Sequence, residues 1–123
     1  MNIDDFFTGF EISRHLFDAL SALACREESV STYVGKSQVA FRDRKPFLWV
    51  WIPGRYLKNR QTAPLVMTVV FRHRDPSPRW KEIVEARQGM FTHHLELFDL
   101  ADIDDEVAHW IARSHDENHT TGR

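Results

Sequence analysis

Two tryptophans and two arginines are the residues of this sequence whose types and spacing best suit ligand recognition. Trp49 and Trp51 alternate along an apolar run, and since side chains of a strand alternate between its faces, both rings are predicted to share one side. If Arg42 and Arg72 lie on that side, aromatic rings and guanidinium groups form one surface that can stack bases or hold phosphates. The alternative is that the tryptophans belong to the core and the arginines cover its rim with their stems.

The histidines suggest a metal site, but their spacing argues against one. His93 and His94 are neighbours on a predicted strand and point to opposite faces, so they cannot both bind one ion. Either can still donate and accept hydrogen bonds near neutral pH. His115 and His119 share a helix face, but Asp116 stands where the zinc-protease motif has its catalytic glutamate. We therefore predict no metal site and no cofactor.

These observations favour a non-catalytic binding module with a basic and aromatic surface. The expected ligand is an anionic small molecule, a nucleotide-like molecule or nucleic acid. The sequence contains no nucleophile elbow, P-loop or dinucleotide fingerprint, so no catalytic residue is assigned. The residues predicted to converge on the ligand are Lys36, Arg42, Arg72, Arg79 and one of the pair His93 and His94, with Trp49 or Trp51 as an apolar wall.

Two alternatives remain open. In the first, the domain is a protein-interaction or homodimerisation module, in which one apolar face of the strand Phe47–Ile52 stays exposed and pairs with a partner. In the second, it is an enzyme that uses His93 or His94 as acid or base. A partner nucleophile for that histidine is not visible in the sequence, so an enzyme is less favoured than a binding module.

The charge of the chain is segregated along the sequence. The total is −2, but residues 36–94 carry a net charge of +8, residues 1–35 carry −4 and residues 95–123 carry −6. Such asymmetry is typical of proteins that bind anions. It is also expected wherever acidic helices pack beside a basic sheet, which is the alternative interpretation.

Length and composition predict one domain over residues 1–116, followed by a frayed tail over residues 117–123. The single Cys25 excludes an internal disulfide and favours a reducing compartment. The N-terminus is acidic where a signal peptide is basic, and no apolar run approaches the roughly 18 residues of a membrane span. A cytoplasmic protein without membrane contact is therefore predicted.

Helix and strand signals supply the elements that must position the candidate residues. Thr8 and Glu11 fit a capping box at the start of a helix that extends to about Arg26. The apolar stripe of this helix comprises Ile12, Leu16, Ala19, Leu20 and Leu23. Short connections then predict an antiparallel meander of four strands, at Val30–Val34, Ser37–Arg42, Phe47–Ile52 and Leu65–Arg72.

The second half of the chain is predicted to complete the sheet and cover it. Ser77-Pro78 is typical of a helix start and predicts a short helix, Pro78–Arg87. A fifth strand, Phe91–Phe98, and a last helix from Asp102 to about His115 follow. The fold class is α+β, an antiparallel sheet of about five strands with N-terminal, short internal and C-terminal helices in the order α-β-β-β-β-α-β-α.

Five segments taken in order resemble one protein family. They are DDFFTG, GKSQVAFRDRKPFLWVW, SPRWKEIVEA, FTHHLEL and DIDDEVAHWI. Together they resemble domain-of-unknown-function family 5655, and the likeness runs from about Asp4 to His115. The resemblance implies a small bacterial α+β domain, sometimes labelled a predicted transport protein, and it implies no established activity and no catalytic residue.

Overall fold

The computed structural model describes residues 1–57 and 61–119, which form an antiparallel sheet with helices packed against one face. The α+β class is thus confirmed. The helices are α1 (Ile3–Phe6), α2 (Glu11–Ala24) and α3 (Asp105–His119). The strands are β1 (Ser31–Val34), β2 (Val39–Asp43), β3 (Lys45–Trp51), β4 (Leu65–Phe71), β5 (Glu82–Arg87) and β6 (Met90–Leu97).

All strand pairs are antiparallel, and the order across the sheet is β1-β2-β3-β4-β6-β5. The described residues therefore form six strands, where the sequence predicted about five. The additional strand is β5, in the segment predicted as the helix Pro78–Arg87. Long-range pairing with β6 overrides the helix-start signal of Ser77-Pro78 there, and Gly89, with φ of +77°, allows the tight turn between the two strands.

The covered face of the sheet forms the core with α2 and α3. Leu48 and Val50 of β3 and the following Ile52 are fully buried under the helices, on the side of the strand opposite to Trp49 and Trp51. From α3, Val107, Trp110 and Ile111 pack into the same core. Because each of these side chains leaves water almost completely, the burial contributes roughly 1.5–3 kcal/mol per large aliphatic residue.

The start of α2 differs from the prediction. Its N-cap is Phe10, which makes no side-chain capping bond, and the Thr8 hydroxyl instead donates to the carbonyl of Asp4. The predicted Thr8 cap is therefore wrong. Leu16 and Leu20 are buried as expected, but Ile12 is 66% exposed.

A bulge in β3 lies where α3 is hydrogen-bonded to the sheet. Phe41 pairs with Leu48 but the next residue, Arg42, pairs with Pro46, so Phe47 is an extra residue in β3. The bulge turns the ring of Phe47 to the covered face. The buried Ser114 hydroxyl of α3 donates to the carbonyl of Phe47 at 2.6 Å and accepts from the amide of Val70 at 3.2 Å.

The C-terminal helix extends through residue 119, beyond the predicted end near His115. Residues 120–123 of the predicted tail lie outside the described residues, as do residues 58–60 of the loop before β4. None of the described helices has the length and apolar character that crossing a membrane requires.

Candidate ligand-binding groove on the open sheet face

The face of the sheet opposite the helices carries a groove of about 640 Å³. One row of side chains in register on three strands lines it, in which Trp49 lies beside Thr68 and Thr68 beside His94. The residues that line the groove are Gln38, Lys45, Pro46, Trp49, Trp51, Thr68, Val70, Ala86, Arg87, Met90, Thr92, His94 and Asn118.

Trp49 and Trp51 form one wall of the groove. Both rings are half-buried, and they project from β3 on the side opposite to Leu48 and Val50. Trp51 lies beside Val66, which is 1% exposed, so the tryptophans also shield the outer side of β4. The two rings are therefore neither core residues nor freely exposed, and they offer an apolar surface to a ligand.

A threonine–histidine pair lies in the middle of the groove. The Thr68 hydroxyl and Nδ1 of His94 are 2.8 Å apart and share a hydrogen bond. Burial lowers the pKa of His94, the carboxylate of Glu82 opposes this effect and Lys81 adds to it, so the ring is neutral at pH 7. Among the residues that the structure describes, Nε2 of His94 has no hydrogen-bonding partner. It can therefore bond to a molecule in the groove.

The positive charge of the groove is concentrated at one end. Because the strands alternate in direction, the start of β3 and the end of β5 lie at the same end of the sheet. Lys45 is the first residue of β3 and Arg87 the last of β5, and both line the groove. Asn118 of α3 reaches the same end and donates to the carbonyl of Val70 at 3.1 Å.

His93 lies on the covered face and is fully buried. Its Nδ1 bonds the carbonyl of Phe91 at 2.8 Å, which accepts only, so Nδ1 carries the proton. Its Nε2 then accepts from the amide of Asp75 at 3.0 Å. Burial lowers the pKa of His93. Both ring nitrogens are thus used within the fold, and His93 supports the structure rather than the groove.

Asp75, which holds the imidazole of His93, is itself fixed by a buried network. Its carboxylate accepts from Nε1 of Trp80 at 2.9 Å and from the guanidinium of Arg113 at 3.1 Å. Burial tends to raise the pKa of Asp75, but these bonds and one from the amide of Ser77 outweigh it and leave the pKa lowered. The carboxylate is therefore ionised and anchors α3 to the segment before β5.

Four basic residues of the predicted site do not line the groove. Lys36 is exposed in the bend between β1 and β2, and Arg42 is exposed on β2. The amide of Arg72 donates to the carboxylate of Glu117 at 2.8 Å, and its guanidinium donates to the main-chain carbonyl of Glu117 at 3.4 Å. Arg79 forms ion pairs of 3.0 and 2.8 Å with Asp104 and Glu106 and donates to the carbonyl of Asp102. The expected convergence is therefore found only for Trp49, Trp51 and His94.

Several groove residues were absent from the sequence prediction. Lys45 was assigned to a turn, and Arg87 and Ala86 to a helix, so none of them was expected on a sheet face. Thr68 was placed on a strand without a role. One usable signal was Gly89, since a glycine between two apolar runs can join a hairpin and would have placed Arg87 beside Met90.

The Thr68–His94 pair has a distance at which a histidine can take a proton from a hydroxyl. A nucleophile of this kind also needs a third group that orients the imidazole, and within residues 1–57 and 61–119 no such group bonds Nε2 of His94. Enzymatic use of His94 therefore stays an untested alternative. In the same part of the chain, no three His, Cys, Asp or Glu side chains are placed to share a metal ion.

The family model for the domain of unknown function DUF5655 matches residues 3–118, so the chain belongs to this family. The resemblance found in the sequence is thereby confirmed. The searches of curated proteins and of solved structures gave no match.

Proposed function

We propose that this member of the DUF5655 family is a binding module whose open sheet face takes a small ligand with a flat ring and an acidic group. One observation carries the proposal: the tryptophan wall, the Thr68–His94 pair and the cationic end border one groove of about 640 Å³. This volume falls within the roughly 300–1,000 Å³ that is typical of small-molecule sites. The apolar lining with a few polar groups is typical of them too.

The tryptophan wall supplies most of the expected affinity. A flat ring that stacks on Trp49 or Trp51 replaces water at an apolar surface that is already ordered by β3. Stacking of a base on an aromatic side chain contributes about 1–3 kcal/mol. Because the wall is only half-buried, a ligand can reach it without any rearrangement of the sheet.

The Thr68–His94 pair supplies orientation. A neutral imidazole bears one donor and one acceptor nitrogen, and the Thr68 hydroxyl both donates and accepts. His94 lines the groove and its Nδ1 is bonded to Thr68, which leaves Nε2 to bond to a heteroatom of the ligand ring. This supports a heterocycle over a plain hydrocarbon ring, which would leave Nε2 without a partner.

The cationic end favours a ligand with a single acidic group, such as a nucleoside monophosphate. Lys45 is four residues from Trp49 along β3, roughly 13 Å for an extended strand and less here because of the bulge. Arg72 and Arg79, which a nucleic-acid track would require, do not line the groove, and Arg79 is ion-paired with Asp104 and Glu106. A short anionic ligand therefore fits these charges better than a nucleic-acid strand.

Calorimetric titration with nucleoside monophosphates and the matched nucleosides tests the proposal. We expect Trp49→Ala to weaken monophosphate binding about 5- to 150-fold, the equivalent of the lost stacking. Lys45→Ala should weaken binding of the monophosphate but leave the nucleoside unchanged. Lys36→Ala and Phe98→Ala are matched controls, since both side chains are exposed outside the groove.

Three results would contradict the proposal. Binding that is the same in Trp49→Ala and the parent protein would place the ligand elsewhere, and no binding by any nucleotide or nucleoside would remove this ligand class. Tighter binding of a labelled single-stranded oligonucleotide, with a steep loss between about 50 and about 200 mM salt, would favour nucleic acid instead. A mass in solution that rises with protein concentration, and that no longer rises in Trp51→Asp, would favour the interaction module.

A further inference from the structure

We propose a second site, independent of the groove: a cleft between α2 and the turn after β6 that docks an apolar, positively charged peptide segment of a partner protein. The cleft has a volume of about 570 Å³ and is lined by Glu11, Ile12, His15, Leu16, Phe98, Asp99, Leu100 and Ala101. Three large apolar side chains stand exposed in it: Ile12 at 66%, Phe98 at 55% and Leu100 at 47%. Clustered exposed residues of this kind mark interaction surfaces.

Side-chain to main-chain hydrogen bonds hold the turn that presents Phe98 and Leu100. The carboxylate of Asp102 accepts from the amide of Phe98 at 2.8 Å, and the carboxylate of Asp99 accepts from the amide of Ala101 at 2.8 Å. Reciprocal bonds between Asp99 and Asp102 close the turn as a capping box. A partner therefore meets a preformed apolar surface, which lowers the conformational cost of binding.

The charge around the cleft selects the partner. The two acidic parts of the sequence, residues 1–35 and 95–123, meet here, because one wall comes from the start of α2 and the other from the turn after β6. Glu11 and Asp99 form no ion pair within the described residues. A basic partner would therefore be attracted to this cleft and an acidic one repelled.

A second copy of the chain fits the cleft poorly. A two-fold interface brings the same patch of both copies together, so Glu11 and Asp99 of one copy would face the same two carboxylates of the other. The like charges would oppose the apolar contact. A peptide segment with apolar residues on one side and lysine or arginine on the other satisfies both features of the cleft.

Two amphipathic model peptides of about four helical turns provide the test. Both have leucine on the apolar face, and they carry lysine or glutamate, respectively, on the polar face. By fluorescence anisotropy we expect the lysine peptide to bind and the glutamate peptide to bind at least tenfold more weakly. Phe98→Ser and Leu100→Ser should each weaken the lysine peptide about tenfold or more, which corresponds to about 1.4 kcal/mol. Glu11→Gln should weaken it less and reduce its salt dependence.

Two controls separate this site from other surfaces. Val84→Ser removes an apolar side chain of similar exposure on β5, and Trp51→Ala alters the groove; neither should change peptide binding. Equal binding of both peptides, binding of neither, or binding that survives Phe98→Ser would overturn the proposal. Self-association that Phe98→Ser abolishes in sedimentation experiments would also overturn it, since a second copy would then be the occupant.

Discussion

The two faces of this sheet use neighbouring residues in opposite ways, and His93 and His94 show the difference most clearly. His93 is fully buried on the covered face, where both of its ring nitrogens are bonded within the fold. His94 lies on the open face and lines the groove, with Nδ1 bonded to Thr68 and Nε2 without a partner among the described residues. The comparison teaches that residue type alone does not indicate a site. A histidine can bind a ligand only where the fold leaves one of its ring nitrogens without a partner.

The same contrast runs along β4. Leu65, Met67 and Val69 are sealed under the helices, whereas Val66 and Thr68 on the other side are shielded only by half-buried neighbours such as Trp51. A strand that is apolar on both faces must be covered on both faces or present one face to a partner. Here large side chains from β3 provide partial cover, and the gap beside them forms the groove.

The largest expected effect compares core and groove residues on β3. Leu48→Ala removes a fully buried side chain and should reduce the free energy of unfolding by about 2–5 kcal/mol. Trp49→Ala removes a larger but half-buried ring, so it should cost less than the roughly 3–5 kcal/mol of a core aromatic. Urea unfolding measures both. If Trp49→Ala proves the more costly of the two, the ring is part of the core and the groove wall is misassigned.

The next effect tests how α3 is fastened to the covered face. Ser114→Ala leaves the amide of Val70 and the carbonyl of Phe47 without their buried hydroxyl partner. The expected loss in free energy of unfolding is about 1–3 kcal/mol. Ser31→Ala, at an exposed position on the edge strand β1, is the matched control and should change little. Equal effects of the two substitutions would show that the bridge between α3 and the bulge does not stabilise the fold.

The pH dependence of stability should separate the two histidines. Burial lowers the pKa of both in the folded state, below the ordinary value of 6.5. The unfolded chain then binds more protons, so stability is complete above about pH 6.5 and falls as the pH drops toward the folded pKa, by at most about 1.4 kcal/mol per pH unit per histidine. Protonated His93 could no longer accept the amide of Asp75, whereas protonated His94 can direct its proton to water in the groove.

His93→Gln should therefore remove more of the loss between about pH 7.5 and about pH 5.5 than His94→Gln removes. The charges around His93 partly cancel, since Asp75 raises its pKa while Arg113 and Arg74 lower it. Unfolding curves at both pH values give the comparison directly. An equal pH dependence in the two variants would show that the bond from the amide of Asp75 adds nothing to the effect of burial, which the two histidines share.

Local patterns predicted the tryptophan wall, but not the rest of the groove. Alternation along β3 was enough to separate Trp49 and Trp51 from Leu48 and Val50, because strand geometry fixes that relation. The role of Arg79 depends on Glu106, and these two residues meet only in the folded chain. No local sequence pattern predicts whether such an arginine forms an ion pair within the fold.

The cationic end of the groove was not predicted because β5 was predicted as a helix. The Ser77-Pro78 signal is a genuine local preference for a helix start, but β5 gains its hydrogen bonds from β6. With that segment predicted as a helix, Arg87 could not be placed beside Met90 on the open face. The position of its positive charge at the end of the groove was therefore not predictable either.

The smallest expected effect on the free energy of unfolding comes from the helix starts. It tests whether packing or capping stabilises the helices of the covered face. The Thr8 hydroxyl donates to the carbonyl of Asp4 at an exposed position and does not cap α2, so Thr8→Ala should change the free energy of unfolding by no more than about 0.5 kcal/mol. Asn2→Ala is the informative partner, because the Asn2 carbonyl oxygen accepts from the amide of Asp5 at 2.8 Å in a complete capping box of α1. It should cost about 0.5–1 kcal/mol, at the lower end of the range for lost caps since α1 is short and exposed. A loss of about 1 kcal/mol or more in Thr8→Ala, with Asn2→Ala neutral, would show that α2 depends on a cap at Thr8 rather than on the burial of Leu16 and Leu20.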